Sequence, residues 1–177
     1  MSGSVGDNTA RASGVIASAG GGGKVLQTLE YSKIGTVSWT GTSWANIGSI
    51  EQAITPAGES SKMKLTFFTG VSDSTNRGFL RFYYDVDGGG YNVCDPVGEA
   101  AGSRTTCHLF IDEDIDGRGI TILHTPSYSL GNVLTYQMWA WTSSGGHPFY
   151  LGKDKTDGDS SSYARCQTIL RVEEIAA

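Results

Sequence analysis

The runs "SKMKLTFFTGVS", residues 61–72, and "GFLRFYYDVDG", residues 78–88, decide the fold. In the first, Met63, Leu65, Phe67, Thr69 and Val71 fall on one side of an extended chain, and Lys62, Lys64 and Thr66 on the other. A period of two is that of a β-strand, whose successive side chains point to opposite faces, and the lysines belong in solvent. In the second, Leu80, Phe82, Tyr84 and Val86 alternate with Phe79, Arg81, Tyr83 and Asp85. Here the second set is aromatic as well as charged, so both sides of this strand need cover.

The same texture extends in both directions. Downstream lie "TTCHLFID" (105–112), "GITILHT" (119–125), "VLTYQMWAWTS" (133–143) and "CQTILRVEEI" (166–175). Upstream lie "KVLQTLEYS" (24–32), "TVSW" (36–39) and "WANIGSIEQAITP" (44–56). Each run is short, rich in β-branched and aromatic residues, and bounded by Gly, Asp, Asn, Ser or Pro. Together they predict eight or nine strands. No segment carries a 3.6-residue stripe of helical length, so the crossover helices of a parallel sheet are missing. The expectation is an all-β chain folded as an antiparallel β-sandwich of the jelly-roll or immunoglobulin kind. Strand number and long glycine-rich connections favour a jelly-roll-like sandwich.

Before these runs the chain reads differently. Beyond Met1, residues 1–23 hold only Val5, Val15 and Ile16 as large apolar side chains, and Gly20 to Gly23 form a flexible joint. This is expected to be an arm, flexible or ordered on a partner, with Val15 and Ile16 as apolar anchors for attachment; residues 24–177 form the sandwich domain. A length of 177 residues suits one such domain with a real core. With 13 basic and 18 acidic residues the formal charge is −5, and no basic patch stands out. Nucleic-acid binding is therefore not expected. No run of about 18 apolar residues exists to cross a membrane, and no signal-peptide core is visible. Synthesis in the cytoplasm follows as an expectation.

Three cysteines, Cys94, Cys107 and Cys166, make an odd count for a disulfide scaffold. Cys107 and Cys166 sit in alternating runs and read as buried thiols. Cys94 follows a glycine-rich turn and reads as exposed, with a Cys94–Cys107 bridge as the alternative. His108, His124 and His147 lack motif partners for nucleophilic or metal chemistry, and "SAGGGGKV" lacks phosphate-loop spacing. No catalytic and no cofactor-binding residue is identified.

The carboxylates are more pointed. "DEDIDGRG" places Asp112, Asp114 and Asp116 at alternate positions before Gly117, the first half of a calcium loop. The twelfth position is Leu123 where a bidentate Glu belongs, so other oxygens would have to complete the site. "DVDGGG" (Asp85, Asp87) and "KDKTDGD" (Asp154, Asp157, Asp159) are the sources, although Asp and Gly also fill β-turns for purely local reasons. Calcium is the one cofactor this pattern suggests. Paired carboxylates in an aromatic groove would also suit a polysaccharide-cleaving enzyme, but no pair is singled out.

Trp139 and Trp141 fall opposite Met138 and Ala140, and thus outward. A second subunit is the simplest cover; a loop folded over them, or a register shifted by one, is the alternative. A ligand groove is the other use for aromatics, with Tyr91, Tyr128, Trp139, Trp141 and Phe149 as candidates to line it.

"VGDNTARASGVIASAGGGGKVLQTLEYSK" (5–33) followed by "ANIGSIEQAITPAGESSKMKLTFFTG" (45–70) resembles structural modules of tailed bacteriophages, common in aquatic ones. The matching motifs run from Gly23 to Gln27 (GK-[VI]-L-Q) and from Ile54 to Lys62 (I-T-P-x-x-x-x-S-K). "GFLRF" (Gly78–Phe82) and the closing "LRVEEIA" (Leu170–Ala176) also match. The resemblance covers most of residues 4–83 and the last strand. It implies a non-enzymatic virion protein of the head-decoration, head-fibre or tail-fibre kind, a β-sandwich displayed on the virion surface, often as a homotrimer, assembled in the host cytoplasm. Partners would be further copies of the chain and other capsid or tail proteins reached by the arm. Longer relatives carry an upstream shaft; this chain opens with its own Met1, which favours a small capsid accessory protein. Residues 88–165 depart most from the pattern. They are the expected seat of any specificity, including a receptor- or glycan-binding tip that would hold a host surface glycan.

Overall fold

The computed structural model describes residues 23–73, 77–111, 116–145, 148–155, 159, 161 and 165–177, with the backbone alone for Asp73 and Asp116. Among these residues there is no helix, and eleven strands follow one another: β1 Val25–Lys33, β2 Val37–Trp39, β3 Ala45–Ile54, β4 Lys62–Asp73, β5 Gly78–Val86, β6 Asn92–Val93, β7 Leu109–Ile111, β8 Asp116–His124, β9 Leu134–Thr142, β10 Phe149–Leu151 and β11 Thr168–Ile175. The two beyond the expected nine, β6 and β10, are two and three residues long. No alternation can be read in so short a run.

The strands form two antiparallel sheets. One, the β4 sheet, runs β1-β11-β4-β10-β2, with β8 on the other edge of β4; the other, the β5 sheet, runs β3-β9-β5-β6, with β7 also on β5. The pairing is nested. β1 pairs β11, β2 pairs β10, β3 pairs β9, β4 pairs β8, and β5 pairs β7 and β6. The chain is thus a long hairpin folded over on itself, which is the jelly-roll arrangement and the expected fold class. The two ends of the described chain meet, the Gly23 amide donating to the Ala176 carbonyl at 3.1 Å.

Between the sheets lies the core. Met63, Leu65, Phe67 and Val71 of β4 face Leu80 and Phe82 of β5 and Met138 and Ala140 of β9, all at 0–1% exposure. Fully burying each larger side chain contributes about 1.5–3 kcal/mol. The alternation in the sequence therefore places these faces correctly.

β3 breaks the rule. Ile47, Ile50 and Ile54 are all buried, although their spacing is not a multiple of two throughout. The register slips between Asn46 and Glu51, and Gly48 (φ 64°) and Ser49 (φ 55°) both occupy the left-handed region. This bulge turns Ile50 back to the core. Gly48 is needed for space too, since a Cβ there would lie 2.6 Å from Val37 Cγ2.

The expected burial reverses for two of the three cysteines, and Cys107 is half-buried. All three thiols are free; Cys94 is buried and Cys166 is exposed. The Cys94 amide donates to Phe82 O at 3.0 Å, which draws it under the β5 sheet as β6 ends. Cys166 precedes β11, where the chain is tied to the Gly152 carbonyl instead of to a sheet neighbour.

Candidate functional site

The outer face of the β5 sheet is built from cross-strand pairs. Phe79 of β5 lies opposite Trp141 of β9 on one side and Phe110 of β7 on the other. The rings touch, with centroids 4.8 Å and 5.3 Å from Phe79. Arg77 caps this row, its guanidinium 5.9 Å from the Phe110 ring. Farther along, Trp139 stacks on Tyr83 at 4.1 Å, and Tyr91 leans against Trp139 at 5.6 Å. Such pairs add about 0.5–1.5 kcal/mol each beyond area burial.

Polar groups hold the second row in place. Trp139 Nε1 donates to Gln137 Oε1 at 2.8 Å, while Gln137 Nε2 donates to Glu51 Oε2 at 2.8 Å and to Tyr91 Oη at 2.5 Å. Gln137 is buried, so this network fixes the ring positions. The Tyr91 phenol is pushed up by burial, with Glu51 and Asp85 adding to the effect. Arg81 Nε donates to Thr106 O at 2.6 Å, a second donor reaches the Thr106 hydroxyl, and the guanidinium lies 4.1 Å from the Trp44 ring.

Trp139 and Trp141 therefore do point outward, as the alternation predicts, but neither is fully exposed. They are covered in part by their neighbours and in part by the turn before β3, where Trp141 Nε1 donates to Thr42 O at 2.8 Å. The loop cover and the outward register thus hold together. What stays open on this face is Phe110 and Tyr91, at 39% and 37% exposure.

The expected ligand groove does not assemble as one unit. Tyr91 and Trp139 meet, and Trp141 belongs to the neighbouring row. Phe149 is in the core at 0% exposure, because β10 pairs with β4 and directs it inward. Tyr128 lies in the β8–β9 connection, where its hydroxyl donates to Gly58 O at 2.7 Å and accepts from the Ser61 amide at 2.8 Å.

Asp112 and Asp114 lie outside the described residues, as do Val15 and Ile16 of the arm; Asp116 opens β8. Among the described residues no three His, Cys, Asp or Glu side chains gather as a metal site. The "DVDGGG" carboxylates are spent on the fold. Asp85 accepts from the Gly88 and Gly90 amides at 2.6 Å each, and Asp87 accepts from the Val133 amide at 2.7 Å and from Asn132 Nδ2 at 2.5 Å. This is the local turn-building role of Asp.

The same holds for other buried polar groups. His108 accepts from the Phe82 amide at Nδ1 (3.1 Å) and faces Cys94 O at Nε2 (2.9 Å), so it stitches the β6–β7 connection to β5. Burial lowers its pKa. His124 packs 4.5 Å from the Tyr84 ring and lies 3.1 Å from Tyr136 Oη; burial pushes its pKa down to about 4. Glu174, which no sequence signal marked, accepts from the Ala57 and Gly58 amides at 3.0 Å and 2.9 Å and from Gln27 Nε2 at 2.7 Å. Burial raises its pKa, but these donors outweigh it and the net shift is downward.

Searches for known relatives return no matching protein-family model and no matching curated protein.

Proposed function

We propose that this chain is a non-enzymatic structural protein of a virion: a capsid decoration or accessory protein, or a short fibre. The sandwich is displayed outward, the arm attaches to neighbouring capsid or tail proteins, and the chain associates with itself as a trimer. The observation that supports self-association is the one-sided aromatic face. Phe79, Phe110, Trp141, Tyr83, Trp139 and Tyr91 share the outer side of one sheet. Phe110 and Tyr91 are the parts of it left open, and a symmetric copy is the commonest cover for such apolar surface. The phage-module motifs supply the virion setting.

Sedimentation at low micromolar concentration tests the reading. A three-chain mass is expected, reduced toward a single chain by Phe110→Lys, which places a charge in the contact. A single-chain mass for the unaltered protein would sink it.

A further inference from the structure

At one end of the molecule, polar side chains are left over from the bonds that hold the fold. There the β3–β4 connection, residues 55–61, meets the β8–β9 connection, residues 125–133, around Tyr128. A cleft of about 370 Å³ there is lined by Ser60, Thr125, Pro126, Ser127 and the tyrosine. A second of about 280 Å³ shares Ser60 and Tyr128 with it and adds Glu59, Ser129 and Leu130. The larger lies within the size range of small-molecule sites.

Both walls are pinned from beneath. Glu174 holds the Ala57 and Gly58 amides, and the Tyr128 hydroxyl bridges Gly58 and Ser61. Asn132 Oδ1 accepts from the Ser129 amide at 2.7 Å. The cleft is thus preformed, and a preformed site spends little binding energy on ordering itself. The hydroxyls of Ser60, Thr125 and Ser127 are not used in these braces. Ser60, which lines both clefts, sits at φ 59°, a conformation that glycine or asparagine would adopt at lower cost.

We infer that this end cleft binds a neutral saccharide. Hydroxyls that both donate and accept match sugar hydroxyls, and exposed Leu130 offers apolar contact to ring C–H groups. Among the described lining residues there is no Lys or Arg, and Glu59 is acidic, so phosphate, sulfate and carboxylate ligands are disfavoured. The site lies in a pair of loops at the sandwich end, apart from the aromatic sheet face. It stands or falls independently of the oligomeric state.

The test is amide NMR on the full chain, titrated with the neutral sugars D-glucose, D-galactose and N-acetyl-D-glucosamine and, separately, with D-glucuronate, each to about 50 mM, enough to detect millimolar binding. The expected result is saturable shifts at residues 58–61 and 125–130 with at least one sugar. Ser60→Gly keeps the left-handed backbone, removes only the hydroxyl, and should weaken binding about three- to tenfold. Thr125→Val should act in the same direction while leaving the thermal midpoint in place. No saturable shift with any of the three sugars overturns the inference. So does a response confined to Tyr91 and Trp139, or glucuronate binding as well as the neutral sugars.

Discussion

The two outer faces of the sandwich follow the same geometry and carry opposite chemistry. On the β4 sheet, Lys64 of β4 pairs with Glu173 of β11 at 2.7 Å, Arg171 of β11 pairs with Glu30 of β1 at 2.7 Å, and Thr66 meets Thr121 of β8 at 3.0 Å. Its outward aromatics stand apart: Phe68 lies across the edge strand, where a Cβ on Gly119 would be 3.3 Å from its ring, and Tyr150 of β10 lies under Lys153 Nζ at 4.7 Å. On the β5 sheet the equivalent positions are Phe79, Tyr83, Trp139 and Trp141, with Trp139 braced by buried Gln137 and Trp141 by the Thr42 carbonyl. A jelly roll needs only its inner faces to be apolar. The aromatic outer face is therefore an addition that the fold did not require, and it is where an interaction is to be sought.

The largest effect expected from this contrast is on Trp139. Trp139→Ala removes the stack on Tyr83 and leaves buried Gln137 without its donor. It should cost about 3 kcal/mol in urea unfolding, at the low end for a large aromatic because Trp139 is only partly buried. A loss under about 1 kcal/mol would mean that the row is held by something other than its stacking.

Next in size is an acid effect where the inner faces meet. His124 ends β8 in one sheet and packs on Tyr84 and Tyr136 of the other. Its folded-state pKa is about 4, set by burial, with Asp95 opposing and His108 adding to the depression. The unfolded value is about 6.5. The unfolded chain thus takes up the proton first, and stability is full above pH about 6.5 and falls as pH drops toward 4. The slope approaches about 1.4 kcal/mol per pH unit. His124→Asn should flatten that slope between pH 6.5 and 4 in equilibrium unfolding. An unchanged slope would move its origin to another group. Below this window Glu174, whose folded pKa is depressed, loses its own contribution as it protonates.

The smallest effect belongs to the polar face. Arg171→Ala breaks a pair that is 45% exposed on the arginine side, and should cost no more than about 1 kcal/mol, less in high salt. If it matched Trp139→Ala, the two faces would be equally structural and the distinction drawn here would fail.

Much of this was readable before the structure. β4, β5, β9 and β11 follow period two without interruption, so Met63, Leu80, Met138 and Leu170 fall inward and Trp139 and Trp141 outward on counting alone. β3 was not readable in this way, because the Gly48–Ser49 bulge adds residues that no alternation reveals. Cys94 and Cys166 were misplaced because their burial depends on which loop passes beside them. Phe149 joined the expected ligand groove on aromatic character and was sent to the core by a three-residue strand.

By itself the chain's alternating pattern determined strand identity, inner and outer faces and sheet-on-sheet class, since those depend on near neighbours and on the pleat. Only the tertiary structure decided the nested order of the strands, the polar brace beneath Trp139 and the cleft around Tyr128. Each of these joins residues far apart in the chain, as Glu174 does with Ala57. No local preference encodes contacts at that separation, because they form only when the whole core closes.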